Sequence, residues 1–163
     1  MKKRILCLLG RTGAALALVL VLIVFSGSRQ VIFPIWIEAD ESWMEFSDGI
    51  QLEFDHVELT DSKTSAGEPY VEVYVRMTNL TAERGLPDSL YVVEYFNQGK
   101  WYDVYYNIAW SMAGGAGFVI DPGTTETWPW WVPLNILEAD GPYRLYLYGL
   151  GYCDIPSQRG VFR

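Results

Sequence analysis

The chain has 163 residues, half of them apolar, with twelve Lys or Arg and twenty Asp or Glu. This apolar content is enough for one domain with its own core and excludes a disordered chain. Five of the basic residues precede Val31, so the rest of the chain has seven basic and twenty acidic residues, a net charge of −13. Such an acidic surface repels nucleic acid and anionic lipid headgroups, which excludes both as its direct ligands.

The first 29 residues have the composition of an export signal. A basic start at residues 2–4 precedes an apolar run over residues 13–25, and 17 uncharged residues separate Arg11 from Arg29. A helix of that length reaches roughly 25 Å, the short end of what spans a bilayer. We predict an uncleaved signal anchor at residues 1–29, with the N-terminus in the cytoplasm and the C-terminal domain outside the cytoplasmic membrane. The alternative is a cleaved signal and a secreted protein.

Residues 30–48 begin with an apolar patch and continue into acidic residues. We interpret this stretch as a juxtamembrane linker with Trp36 at the membrane interface, where indole rings are favoured. The alternative interpretation is a first strand. The acidic residues lack the spacing and the turn glycine of a calcium-binding loop.

From residue 49 onward the apolar residues recur with a period of two, which indicates β-strands. The alternation is cleanest over Tyr70 to Thr78. Ile50 to Phe54 has its apolar residues on one face, whereas Val57 and Leu59 have the opposite parity. This change predicts a bulge near Asp55-His56.

Turn residues separate the later strands. Asn97-Gln98-Gly99-Lys100 predicts a tight hairpin between strands at 90–96 and 101–106, because the glycine supplies the positive φ that the hairpin requires. Asp121-Pro122-Gly123-Thr124 predicts a second turn. Pro129 cannot donate to a strand ladder, which places the strand at 125–132 at a sheet edge or a bend.

A tyrosine corner is predicted near the C-terminus. Gly141 is followed two residues later by Tyr143, which begins an alternating strand, and a tyrosine at such a corner bonds back to the preceding backbone. About seven strands, with no amphipathic helix after the anchor, predict a single all-β domain at residues 49–163, an antiparallel Greek-key sandwich. Cys7 and Cys153 lie on opposite sides of the signal boundary, so we expect no disulfide.

Four segments, taken in order, resemble a known family. They are Tyr70–Thr81 (YVEVYVRMTNLT), Val93–Val104 (VEYFNQGKWYDV), Ile120–Trp128 (IDPGTTETW) and Leu137–Leu145 (LEADGPYRL). Their order and spacing are similar to those of the bacterial Ig-like domains of exported and cell-envelope proteins. The resemblance covers about Ile50 to Arg163, and the glycine-rich tail departs from it. It implies an Ig-like sandwich, structural roles for Trp101, Gly141 and Tyr143, and no shared catalytic residues.

The residues indicate no catalytic site, cofactor site or metal site. His56 is the one histidine in the sequence, and we interpret it as a surface or bulge residue, because a triad would need an activated nucleophile beside it. One histidine and one cysteine after the signal cannot supply four zinc ligands. Asn79-Leu80-Thr81 matches a glycosylation sequon but is equally explained as a strand end and turn.

Aromatic residues make up 15% of the chain. Trp128 and Trp130 share one face of their strand and Trp131 takes the other, while Tyr146 and Tyr148 are predicted to point outward. An exposed set of such rings would mark a binding site, and flat rings stack against sugars. Rings also fill sandwich cores and cross-strand pairs, so these five residues are candidate ligand contacts beside a structural interpretation.

These observations together predict a non-catalytic interaction or structural module of the cell envelope. The predicted partners are the membrane, through the N-terminal helix, and a protein or glycan that the sequence does not identify. The alternative is a carbohydrate-binding module that uses surface Trp and Tyr residues.

Overall fold

The computed structural model describes residues 35–85, 90–108 and 119–162. The predicted signal anchor, residues 1–29, lies outside the described residues. Within the three ranges no helix has the length and apolar character needed to cross a bilayer. These ranges contain eight strands: β1 (Ile37–Glu38), β2 (Ile50–Lys63), β3 (Pro69–Asn79), β4 (Leu90–Asn97), β5 (Lys100–Ile108), β6 (Thr125–Pro133), β7 (Tyr143–Leu147) and β8 (Gly151–Ile155).

The strands form two antiparallel sheets that pack together as a β-sandwich, which confirms the predicted all-β sandwich architecture. One sheet has five strands in the order β1-β5-β4-β7-β8, and the other has three in the order β2-β3-β6. Strands far apart in the chain are therefore neighbours, as with β4 and β7. β6 lies at a sheet edge, as the position of Pro129 predicts.

Alternating apolar side chains from both sheets meet in one core. On β3 these are the alternate apolar residues of the predicted strand, and all four are fully buried: Val71, Val73, Val75 and Met77. Burial of this apolar surface is the main force that holds the sheets together. The larger core residues are Met77, Tyr91, Ile120, Trp130, Ile136, Leu137, Tyr143, Leu145 and Leu147.

The predicted irregularities occur where the sequence placed them. The β2–β3 register shifts between Phe54 and His56, which confirms the bulge. Gln98 and Gly99 both have positive φ, 49° and 84°, in a two-residue hairpin loop between β4 and β5. Gly123 has φ 70°, and the backbone N–H of Thr124 donates to the carbonyl of Asp121 at 3.1 Å.

The corner before β7 is held by Tyr143. Its hydroxyl accepts a hydrogen bond from the backbone N–H of Ala139 at 3.0 Å and lies 3.2 Å from the carbonyl of the same residue. At Gly141, φ is 151° and a Cβ atom would lie 2.8 Å from Cε2 of Tyr95. Gly141 and Tyr143, two of the three predicted structural positions, therefore have a clear physical basis.

The described part of the predicted linker, residues 35–48, packs on the five-stranded sheet; we call it the N-terminal strap. Ile37 and Glu38 pair with β5, which agrees with the alternative of a first strand and differs from the linker interpretation. Trp36 stacks on Tyr102 of β5, with ring centroids 4.9 Å apart. Met44 is buried in a small second cluster on the outer face of this sheet. These contacts order a stretch whose sequence alone has no strand periodicity.

Candidate functional site

The outer face of the five-stranded sheet contains a buried ion pair. Glu94 on β4 and Arg144 on β7 are direct cross-strand neighbours. Both the Nε and the Nη2 atoms of Arg144 lie 2.7 Å from Oε2 of Glu94. The Glu94 side chain has no exposed surface, and that of Arg144 is 12% exposed. Both nitrogens thus contact one carboxylate oxygen, and a hydrogen bond between two charged groups is stronger than one between neutral groups.

Two aromatic rings hold the guanidinium of Arg144. Its Cζ lies 4.2 Å from the ring centroid of Trp101 on β5 and 3.6 Å from that of Tyr152 on β8. Its Nη2 also contacts Glu41 of the strap, 2.7 Å from Oε1. Trp101, which the family resemblance assigns a structural role, thus contributes cation–π stabilisation to a buried cation.

Three carboxylates face this one guanidinium: Glu41, Glu94 and Asp103. Burial raises the pKa of Glu94, and the bond and charge of Arg144 oppose that shift. Burial likewise raises the pKa of Asp103, the cross-strand neighbour of Glu94. In the described part of the chain, Oε1 of Glu94 and Oδ1 of Asp103 are buried without a hydrogen-bond partner. The cluster therefore places three carboxyl groups beside a single cation.

The strap closes this face. The hydroxyl of Tyr146 accepts from the backbone N–H of Glu45 at 2.7 Å and lies 2.9 Å from its carbonyl. Trp43 lies edge-on to Tyr146 and parallel to Tyr148. The strap therefore covers the part of this face around Tyr146 and Arg144, whereas Tyr106, the cross-strand partner of Val92, is 59% exposed.

The outer face of the three-stranded sheet has no such cover among the described residues. His56 on β2 stacks on Tyr74 of β3, with centroids 4.3 Å apart and ring planes at 7°. The Tyr74 hydroxyl donates to Oε2 of Glu72 at 2.8 Å. The Nε1–H of Trp131 donates to Oε1 of the same carboxylate at 2.8 Å. Glu72 thus links two aromatic residues on one open surface, which we call the open face.

The five predicted ligand contacts do not form one site. Trp130 is fully buried and packs against Tyr91 in the core, which rules it out as a surface contact. Trp128 packs partly buried against the same core. Tyr146 is on the outer face of its sheet, as predicted, but the strap covers it completely. The corrections at Trp130 and Tyr146 have one reason, because a strand pattern gives a side chain's face and not what packs on that face.

Two of the five, Trp131 and Tyr148, retain accessible surface on the outer faces, and they lie on different sheets. Trp131 is 43% exposed on the open face, which confirms that one of the three neighbouring tryptophans lies outside the core. Tyr148 is half-buried beside Trp43 at the other sheet. A single sugar ring cannot contact both, since the two residues belong to opposite outer faces.

Other residues weighed in the sequence have structural explanations. Asn79 is fully buried, and its Nδ2 donates to the carbonyls of Glu83 and Ile120, so this amide is not available to a sugar. Cys153 is buried in the core, and burial raises the pKa of its thiol to about 12, which leaves it unreactive. His56 is exposed beside Asp55 and Glu58, whose bonds raise its pKa.

Sequence reasoning missed Glu94, Arg144 and Glu72. A signal existed for Glu94, because a single acidic residue lies within the otherwise apolar and aromatic run of β4. A carboxylate in such a strand requires a cationic partner if it is buried. Which arginine supplies that partner depends on the pairing of β4 with β7, which periodicity does not reveal.

Comparisons with protein-family models, curated proteins and solved structures find no match for this chain. Over residues 35–85, 90–108 and 119–162, no three His, Cys, Asp or Glu side chains are grouped as metal ligands. The chemistry of the described sites is that of ion pairing and ring contact: a filled cation site at Arg144 and an exposed aromatic and acidic surface at the open face.

Proposed function

We propose that this chain is a membrane-anchored, extracytoplasmic Ig-like domain that acts as a non-catalytic interaction module of the cell envelope. Support for the Ig-like assignment comes from the strand order. If β1 is set aside, β2, β3 and β6 form one sheet, and β4, β5, β7 and β8 form the other. This division of seven strands between two sheets is typical of Ig-like sandwiches. The Tyr143 corner at the start of β7 is a second feature of that family.

The observation that carries the interaction role is the open face. Trp131 is a large ring with 43% of its surface exposed, on a sheet face that no described segment covers. Beside it lie the polar groups of Glu72 and Tyr74, which can fix the orientation of a partner. Aromatic residues rimmed by polar groups are typical of protein interaction surfaces.

The membrane location is tested with reporters fused to the C-terminus. An alkaline phosphatase fusion is expected to be active and a GFP fusion dark, because the domain lies outside the cytoplasmic membrane. N-terminal sequencing of the membrane fraction is expected to recover the basic start at residues 2–4. A fluorescent GFP fusion would contradict export, and a product that begins near residue 29 in the soluble fraction would show a cleaved signal.

A carbohydrate-binding role is the second candidate, and one observation favours it. Trp131 presents a flat exposed ring next to a carboxylate, a combination that can stack on a sugar and bond its hydroxyls. A glycan array with the wild-type chain and the Trp131→Ala variant tests this role. Sugar binding that is lost in the variant supports it, and no response at millimolar sugar removes it.

A further inference from the structure

The open face carries two carboxylates in direct opposition. Glu58 on β2 and Glu72 on β3 are cross-strand partners on the solvent side of the sheet. Like charges directly opposite each other on neighbouring strands are destabilising. Among the described residues no lysine or arginine forms an ion pair with either carboxylate; the nearby Arg76 is engaged by Glu53 and Asp55. The one group beside the pair that can become cationic is His56, whose Nε2 lies 3.3 Å from Oε1 of Glu58 and which is charged only when protonated. The pair therefore lacks a permanent cation.

Aromatic rings surround this carboxylate pair. Trp131 and Tyr74 bond the two oxygens of Glu72, and His56 stacks on Tyr74 while its Nε2 lies 3.3 Å from Oε1 of Glu58. The bond to Glu72, burial, and the charges of Glu72 and Glu58 raise the pKa of Tyr74 to about 12. The aromatic rings lie beside the negatively charged carboxylates, and both kinds of group attract a cation.

On its other outer face, the chain binds one of its own cations with aromatic rings and carboxylates. There the Arg144 guanidinium lies against the rings of Trp101 and Tyr152 and contacts the carboxylates of Glu94 and Glu41. The open face offers rings and two carboxylates without the guanidinium. Its charge is complementary to a basic partner, since four carboxylates, Glu53, Asp55, Glu58 and Glu72, lie near one arginine, Arg76, which contacts the first two of them.

We propose that the open face binds a basic peptide segment, with one arginine or lysine side chain of the partner between Glu58 and Glu72 and against the ring of Trp131. This deepens the interaction role proposed above and names the chemistry of the partner. The inserted cation relieves the repulsion of the opposed carboxylates. The net negative charge of the folded part steers a basic segment toward the surface, with an effect that weakens as salt increases.

Peptide binding to the full chain, held in zwitterionic detergent micelles, tests the proposal. The probe is a fluorescently labelled peptide with two arginines in a Gly-Ser spacer, and its control has glutamines in their place. We expect the arginine peptide to bind about tenfold more tightly, because an exposed cation–π contact and an ion pair contribute roughly 1.4 kcal/mol together. Equal binding of the two peptides would overturn the proposal.

Variants locate the binding site. Glu72→Gln and Glu58→Gln are each expected to weaken the arginine peptide about threefold or more, and Trp131→Leu about two- to fivefold. Glu58→Gln keeps the proposal testable if Glu72→Gln disturbs the Trp131 bond. The matched control is Glu126→Gln, an exposed carboxylate of β6 outside the open face, which is expected to change affinity less than about twofold.

The controls separate the possible results. An equal loss in Glu126→Gln and Glu72→Gln would overturn the proposal, since it would show attraction by overall charge. Unchanged binding in Trp131→Leu together with Glu58→Gln would place the peptide elsewhere and also overturn it. A failure here leaves the membrane location intact, because that rests on the reporter fusions, so the two proposals fail independently.

Discussion

The two outer faces of the sandwich carry similar residues in very different contact with water. On the five-stranded sheet, Arg144 and Glu94 form their ion pair beneath the strap. On the three-stranded sheet, Arg76 contacts Glu53 and Asp55 in the open, with its own side chain 44% exposed. Aromatic rings contact the Arg144 guanidinium, and His56, stacked on Tyr74, lies beside Asp55. The covering of one face by the strap is what separates them.

This difference decides what each ion pair contributes. An exposed pair gains little, because water already solvates both charges and salt screens their attraction. A buried pair gains little as a unit, yet losing one partner leaves an uncompensated charge away from water. The covered face should therefore be sensitive to substitution and serve stability, whereas the open face tolerates change and remains available to a partner.

Replacement of the buried arginine should have the largest effect. We expect Arg144→Met to destabilise the domain by about 3–5 kcal/mol, because Glu94 would remain buried without its cation. Urea unfolding followed by near-UV circular dichroism measures the loss. The matched change on the open face, Arg76→Met, should cost less than about 1 kcal/mol. Similar losses for the two variants would show that the strap does not set the solvation of these charges.

Hydroxyl deletion gives the next comparison. Tyr146→Phe removes the bonds to the backbone of Glu45 beneath the strap, and we expect a loss of about 1–2 kcal/mol. Tyr74→Phe removes one bond to Glu72 on the open face and should stay within about 0.5 kcal/mol. Hydrogen exchange at residues 43–47 should accelerate in Tyr146→Phe alone. Unchanged exchange there would show that this hydroxyl does not fasten the strap.

The covered carboxylates predict a pH dependence. Burial raises the folded-state pKa of both Glu94 and Asp103, so the folded chain binds their protons more tightly than the unfolded chain. Their contribution to stability should increase as pH falls through the raised pKa values and be lost as pH rises through them. Asp103→Asn should therefore raise the unfolding midpoint at pH 7 and flatten this dependence. A lower midpoint at pH 7 would contradict it.

The exposed histidine should give the smallest effect. Bonds to Asp55 and Glu58 raise the pKa of His56 in the folded state. Its contribution is thus present below the unfolded value of about 6.5 and lost as pH rises through the folded pKa. His56→Gln should leave the midpoint at pH 8 unchanged and lower it slightly at pH 6. A large loss at pH 8 would show a role beyond charge.

The functional surface was only partly predictable from the strand pattern. The pattern correctly separated Trp131 from Trp128 and Trp130, because successive residues of a strand point to opposite faces. It also placed Tyr146 on the outer face. It could not show that the strap covers Tyr146, or that Glu72 lies beside Trp131, since 59 residues separate those two in sequence.

The local features of the fold follow from the amino-acid sequence alone: the strand periods, the Gly99 hairpin, the bulge at His56, the Gly123 turn and the Tyr143 corner. Each depends on residues within a few positions of one another, whose conformational preferences act locally. Which charges are buried depends on contacts between residues far apart in the chain. Arg144 meets Glu94 across 50 residues and Glu41 across 103. Such contacts follow from strand pairing and from the path of the strap, and these determine how much water each charge retains.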